Sequence, residues 1–269
     1  MFLRSIARSS AAASRMGTPR LRMLTSLVKW LTSRQTSSRK NNLVSDETGQ
    51  RHSIAAGARI LSDPIEIAKA EARNGLKQYD FALRLIAQAL ETDKSFRLRP
   101  SMIQALQREA LADISEYAGN YRPGSVDISN SQHNPPAAHE VSALVEDMCE
   151  FVNDHWDEAT AIHLASYLMW RLNWIHPFSD GNGRTSRMVS YVILCIKTGN
   201  ILPGLPTIPD QIVGEKRPYF RALDDADAAW AQGRLDLTTM EALLSALLAR
   251  QLTDAYKTAG GLMPPEATS

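Results

Sequence analysis

Between His176 and Arg187 the chain reads HPFSDGNGRTSR, a stretch holding a histidine, a lone carboxylate, two glycines, an asparagine and two arginines. His176 is the one group there that exchanges a proton near neutral pH, which suits it to general-base work. Asp180 offers a hard oxygen of the kind that holds Mg²⁺ jointly with phosphates. Gly181-Asn182-Gly183 let backbone N–H groups turn inward at the start of a helix, where the dipole is positive. Arg184 and Arg187 are three apart, so they share a face of the first helical turn and form a polyphosphate grip. Phe178 reads as an apolar plug that fixes this nucleotide loop against the core. Base, metal carboxylate, anion nest and arginine pair point together to phosphoryl-type transfer. The spacing departs from GxxxxGK[ST] and no strand precedes it, which rules out a Walker-type ATPase.

Taken singly, each residue has a plainer role. His176 alone would be a capped core histidine, Asp180 a helix cap, the glycines a tight turn and the arginines a solvated face. Their conjunction is what packing does not require. Elsewhere, Tyr219 or Phe220 is a candidate to stack on a nucleotide base, with Tyr219 the candidate contact, although aromatics at helical spacing are more often core. His155 and His163, eight apart, are too distant for one metal without further ligands, and no HExxH occurs. His133 and His139 flank a loop and read as solvated. Cys149 and Cys195 lie in apolar helical stretches and read as inert core thiols of a reducing compartment.

These residues need rigid supports, and the flanking sequence supplies helices. Asp63-Pro64 is a start signal, aspartate as N-cap and proline in the first turn. Ile65, Ala68, Ala72, Leu76, Tyr79, Leu83, Ile86 and Leu90 follow at three- and four-residue spacing, predicting one apolar face. A second helix is expected after Pro100-Ser101, through Ile103, Leu106, Ala110 and Ile114. Val141 to Val152 and Ala161 to Leu172 predict two more, the latter running into the motif. Met188, Val192 and Cys195 continue beyond it until Gly199 stops the helix. Tyr219 to Ala229 and Leu237 to Leu252 predict the last two. Residues 118–138, rich in Gly, Pro, Asn and Ser, read as a long loop with a short hairpin around Ser125-Val126-Asp127-Ile128. Loops of that length inside compact domains are usually functional.

With 269 residues, 44% of them hydrophobic, the chain can bury a core without metals or disulfides. Its net charge of +1 gives no electrostatic case for a nucleic-acid partner, and no apolar run is long enough to span a membrane. The first forty residues carry nine Lys or Arg and no acid, with much Ser and Ala. That is the composition of a transit peptide and equally of a disordered basic tail. A cytoplasmic location is expected, or an organelle or secreted destination if this segment is a signal.

At every defining position, His176-Pro177-Phe178-x-Asp180-Gly181-Asn182-Gly183-Arg184-x-x-Arg187 resembles the Fic family motif, HxFx(D/E)GNGRxxR. Glu71 to Asp80 looks like the first helix of many Fic proteins, and Gly119 to Val126 with Pro135-Pro136 like their flap region. Tyr219-Phe-Arg-Ala-Leu223 is similar to the stretch that follows the motif. The resemblance covers about residues 62–252. It implies an all-α, Fic-type helical bundle with a small β-hairpin flap over the active-site loop. A Fic domain is expected over residues 61–255, between a basic segment 1–60 and a flexible tail 256–269.

The resemblance further implies transfer of AMP from ATP, with Mg²⁺, to a Ser, Thr or Tyr hydroxyl of a target protein. His176 would be the general base and Asp180 the Mg²⁺ ligand. Asn182 and the N–H groups around Gly181 and Gly183 would cradle the α- and β-phosphates beside Arg184, and Arg187 would take the γ-phosphate. The flap, about residues 125–138, would pair with an extended target segment. Gly183, where the Doc kinases carry Lys, favours AMP transfer over γ-phosphate transfer. The alternatives are transfer of another nucleotide, removal of AMP, or a non-catalytic nucleotide-binding domain. Inhibitory Fic helices carry [ST]xxxE[GN], and the nearest fit is Ser62-Asp-Pro-Ile-Glu66, followed by Ile67 instead of Gly or Asn. First-turn charge at a helix N-terminus explains Glu66 equally well. Inhibition is therefore expected from a separate antitoxin-like chain.

Overall fold

Asp63 opens the first helix: its carboxylate accepts the Ile65 N–H at 2.9 Å, and Pro64 begins α1, Pro64–Leu90. The structure, a computed structural model, describes residues 53–54, 59–92, 95–129, 131 and 133–261. All of them lie in one unit, Thr48–Ser269. After α1 come α2 (Pro100–Leu111), α3 (Val141–Asp154), α4 (Ala161–Ile175), α5 (Asn182–Lys197), α6 (Ile208–Gly214), α7 (Arg217–Trp230) and α8 (Thr238–Thr258). The expectation of an all-α bundle holds. Most of the expected segment 1–60 lies outside the described residues, as does the tail beyond residue 261. α8 runs to Thr258, several residues past the last apolar position that marked it in sequence.

The centre is a helical hairpin. α4 is buried without interruption from Leu164 to Leu172, and α5 is buried from Met188 to Ile196. A helix apolar on all sides must be enclosed by others, and α1, α2, α3, α7 and α8 surround this pair. Ser190 Oγ donates to the Ala165 carbonyl at 2.8 Å, a close approach that small residues on both helices permit. Phe178, Trp170, Leu168 and Met148 are among the fully buried side chains of the single large core. Cys149 and Cys195 are buried free thiols, and burial pushes the Cys149 pKa up to about 12, so both are inert as expected.

Polar side chains pin α1 to α2 within this apolar packing. Asn74 Nδ2 donates to the Ala112 carbonyl at 2.6 Å and Gln78 Nε2 to the Leu106 carbonyl at 3.0 Å, both from buried positions. α6 lay hidden in a Pro-rich stretch; its signal is the capping box in which Thr207 and Asp210 exchange hydrogen bonds.

The long loop differs from expectation in its pairing. Its strand β2 (Asp127–Ile128) pairs antiparallel with β1 (Ser53–Ile54), with Ser53 opposite Ile128. Among the described residues no second flap strand completes a local hairpin. Two residues of strand need a partner with unpaired backbone groups, and the preceding chain provides it.

Candidate active site

The motif is the turn of the buried hairpin. α4 ends at His176, whose N–H still donates to the Leu172 carbonyl at 3.0 Å while its backbone swings to φ 52°. That left-handed conformation costs a residue with a β-carbon on the order of 1 kcal/mol. Pro177 then prevents another helical turn. The His176 carbonyl accepts from Arg122 Nε at 2.8 Å, which holds the turn in place.

The ring of His176 is oriented by Nδ1, 3.1 Å from the Asn173 carbonyl. A carbonyl only accepts, so Nδ1 carries the proton and the lone pair lies on Nε2. Burial lowers the His176 pKa to about 4; the Asn173 carbonyl opposes the shift, and His133 and Arg122 reinforce it. The imidazole is therefore neutral at physiological pH and able to accept a proton.

Asp180 follows across the turn. Its Oδ1 accepts the Gly181 N–H at 2.6 Å, and its carbonyl accepts from Gln107 Nε2 at 3.1 Å. Gln107, itself buried on α2, also accepts the Gly119 N–H, so one side chain ties the carboxylate loop to the root of the flap. Among the described residues no three His, Cys, Asp or Glu side chains form a metal cluster. A lone carboxylate fits Mg²⁺ that is shared with phosphates, and does not fit a resident ion held by protein alone.

Gly181 caps α5 at φ 79°, and a β-carbon there would stand 2.4 Å from Leu111 Cδ2. No side chain caps this helix. Its first intrahelical bond runs from Thr185 N–H to the Gly181 carbonyl at 2.9 Å. The N–H groups of Asn182, Gly183 and Arg184 precede that bond and lie outside the ladder, the arrangement that receives an anion. Asn182 is turned inward: its Oδ1 accepts the Phe178 N–H at 2.9 Å and its Nδ2 donates to the Phe178 carbonyl at 2.7 Å. Its side chain shapes the loop. Phe178, which sequence placed with the nucleotide loop, is fully buried beside Tyr121 and contributes only as the plug.

The two arginines have different neighbours. Arg184 Nη2 donates to Glu71 Oε1 of α1 at 3.1 Å. Arg187 lies over the Tyr219 ring, 5.9 Å from its centroid, and burial lowers its pKa, with Tyr219 opposing and Arg184 reinforcing. Gly183 keeps room for Arg187, since a β-carbon there would stand 3.1 Å from Arg187 Nη1.

Tyr219 is 2% exposed, and its hydroxyl accepts from Asn173 Nδ2 at 2.8 Å and meets Ser186 Oγ at 3.3 Å. It is a support behind Arg187, so the expectation of a stacking surface for adenine does not fit its position. His133 is not a solvated loop residue either: its Nε2 lies 2.7 Å from the Trp174 carbonyl and its ring packs on Trp174. His155 follows α3 and His163 sits on α4 against Glu241 at 2.6 Å, so they occupy separate elements. Glu66 pairs with Lys69 at 2.9 Å on the surface; the glutamate that meets the motif is Glu71. Sequence reading missed Glu71, Gln107 and Arg122. For Glu71 a signal existed, a polar stripe with Asn74 and Gln78 at helical spacing on the inner side of α1.

The helical bundle brings together at its central turn a neutral imidazole, a carboxylate, an uncapped helix N-terminus and two arginines. The Fic/DOC family model matches residues 97–194. Protein adenylyltransferase Fic of Drosophila persimilis is 28% identical over 123 residues, 45% of this chain and 23% of that protein. Its namesake in Aedes aegypti is 26% identical over 152 residues, 54% of this chain and 30% of that protein. This chain thus matches less than a third of the length of either relative. The fold is that of a Fic domain containing signaling protein from Bacteroides thetaiotaomicron, with TM-score 0.56 and 24% identity over 73% of this chain and 76% of that one. A Fic family protein from Desulfovibrio desulfuricans aligns with TM-score 0.58 and 22% identity, over 96% of this chain and 72% of that one.

Proposed function

We propose that this chain is a protein adenylyltransferase, moving AMP from ATP to a Ser, Thr or Tyr hydroxyl of a target protein. The observation that carries the reading is the tautomer of His176: a neutral ring with its lone pair on Nε2, beside an uncapped helix N-terminus. In this reading Nε2 takes the proton of the target hydroxyl as its oxygen attacks the α-phosphorus. The bond from the α-phosphorus to the bridging oxygen breaks in line, and pyrophosphate leaves with the electron pair. The N–H groups of Asn182, Gly183 and Arg184 receive the phosphates, and the Arg184 and Arg187 guanidinium groups neutralise the terminal ones. Asp180 would hold Mg²⁺ against the phosphates, where the ion screens their charge when bound. The relatives named protein adenylyltransferase support the same chemistry.

ATP labelled at either the α- or the γ-phosphate, incubated with Mg²⁺, purified protein and cell lysate, tests this. Transfer of the α-label but not the γ-label to protein is expected, with His176→Ala erasing it while MgATP binding stays near normal. Label from the γ-position would make the protein a kinase. Nucleotide bound without transfer of either label would make it a binding module.

A further inference from the structure

Arg122 is 3% exposed, yet it touches three separate parts of the chain. Nε donates to the His176 carbonyl at 2.8 Å, Nη1 to the Gly124 carbonyl at 2.8 Å, and Nη2 to the Pro136 carbonyl. Its own N–H donates to the Pro177 carbonyl at 2.9 Å. Gly124 and Pro136 bracket the flap, so this side chain spans the base of the loop and the turn that carries the histidine. Guanidinium is planar and its donors diverge at fixed angles. Three carbonyls bound to one such plane cannot shift independently.

We propose that Arg122 is a positioning residue that sets the flap and the base nitrogen of His176 relative to one another. The proposal rests on the adenylyltransferase reading, in which the flap presents the target hydroxyl and His176 removes its proton. Reaction requires those two groups at contact distance, and small misplacements of such pairs are expensive in rate. The left-handed backbone of His176 needs an outside restraint on its carbonyl, and Arg122 supplies one. A second tie, His133 to Trp174, keeps the flap attached at its far side. Loss of Arg122 therefore changes alignment without releasing the loop.

The test uses the full chain with Arg122→Met and Arg122→Lys. Lysine retains charge and stem but is a point donor that cannot bind three carbonyls at fixed angles. In both variants, amide exchange across residues 123–137 should rise about tenfold, and the His176 ring resonances should move. MgATP affinity, read by calorimetry, should stay within about twofold because Arg122 touches no part of the phosphate nest. Transfer of the α-label to lysate protein should fall about tenfold or more. An Arg122→Lys protein equal to the parent in exchange and ring signals would overturn the proposal, since charge alone would then suffice. Loosening of the flap in Arg122→Met with unchanged His176 signals and labelling would overturn it too. If the methionine variant does not fold, the lysine variant decides alone. A parent protein that labels nothing defeats the adenylyltransferase reading, while exchange and ring signals still decide whether Arg122 couples flap to base.

Discussion

Glu71 Oε1 and Arg184 Nη2 meet at 3.1 Å although 113 residues separate them in the chain. The pair sits near the start of α5, with the Glu71 side chain only 14% exposed. A carboxylate there opposes the arrival of a polyphosphate and occupies one of the two guanidinium groups that would grip it. Glu71→Gln should therefore tighten MgATP binding about fivefold, equivalent to about 1 kcal/mol, in a calorimetric titration. Weaker binding would show instead that the carboxylate orients Arg184 for its ligand.

His176 gives a pH dependence of definite sign. Folded His176 takes a proton only near pH 4, against 6.5 for the unperturbed ring. Above pH 6.5 the ring is neutral in both states and contributes nothing to the pH dependence. As the pH falls from there towards 4, the unfolded chain gains a proton that the native state refuses. Stability is lost at about 1.4 kcal/mol per pH unit, about 3 kcal/mol in all. Urea midpoints measured at about pH 7.5 and about pH 4.5 should differ less in His176→Ala than in the parent by that order. Equal pH dependence in the two proteins would mean that folding leaves the proton affinity of the ring unchanged.

Tyr219→Phe separates support from stacking. Removing the hydroxyl strips a partner from Asn173 and Ser186, at a cost of about 1–2 kcal/mol in thermal or urea unfolding. MgATP affinity should fall about two- to fivefold through a looser Arg187. A ring that stacked on adenine would keep its affinity on losing only the hydroxyl, and no loss of stability would appear.

The two motif glycines should respond differently to alanine. At Gly181 the left-handed backbone and the Leu111 methyl both resist a β-carbon, so Gly181→Ala should cost about 2–4 kcal/mol of stability. At Gly183 the obstacle is the end of the Arg187 side chain, which can move. Gly183→Ala should leave stability within about 1 kcal/mol and even favour the helix, while weakening MgATP binding by displacing the guanidinium. Melting curves and calorimetry on the two variants read these opposite profiles.

Much of this arrangement was legible in sequence because the chemistry is local. His176, Asp180, Gly181 and the two arginines lie within twelve residues, and the period of the flanking apolar residues marks both helices that hold them. Asp63-Pro64 and Gly199 marked helix ends for the same reason, as caps act over a few residues. What escaped were single polar side chains acting over long separations. Gln107 reaches the Asp180 loop from α2, Arg122 reaches His176 from the flap root, and neither contact leaves a periodic trace. Tyr219 illustrates a different limit: spacing places it near the motif but does not say which side of Arg187 it occupies. The partner of β2 was hidden because a two-residue ladder carries too little pattern to name its neighbour.

That ladder has a kinetic and thermodynamic meaning for anything that binds the flap as a strand. The edge formed by Asp127–Ile128 is already paired with Ser53–Ile54 of the same chain. A tethered segment competes at an effective concentration on the order of millimolar, whatever the abundance of the incoming partner. Docking at this edge is an exchange of strands, and its apparent affinity is divided by one plus the equilibrium constant for self-pairing. For any partner that adds a strand there, the tether between Ile54 and Pro64 would set the strength of this competition, without altering a single residue of the motif.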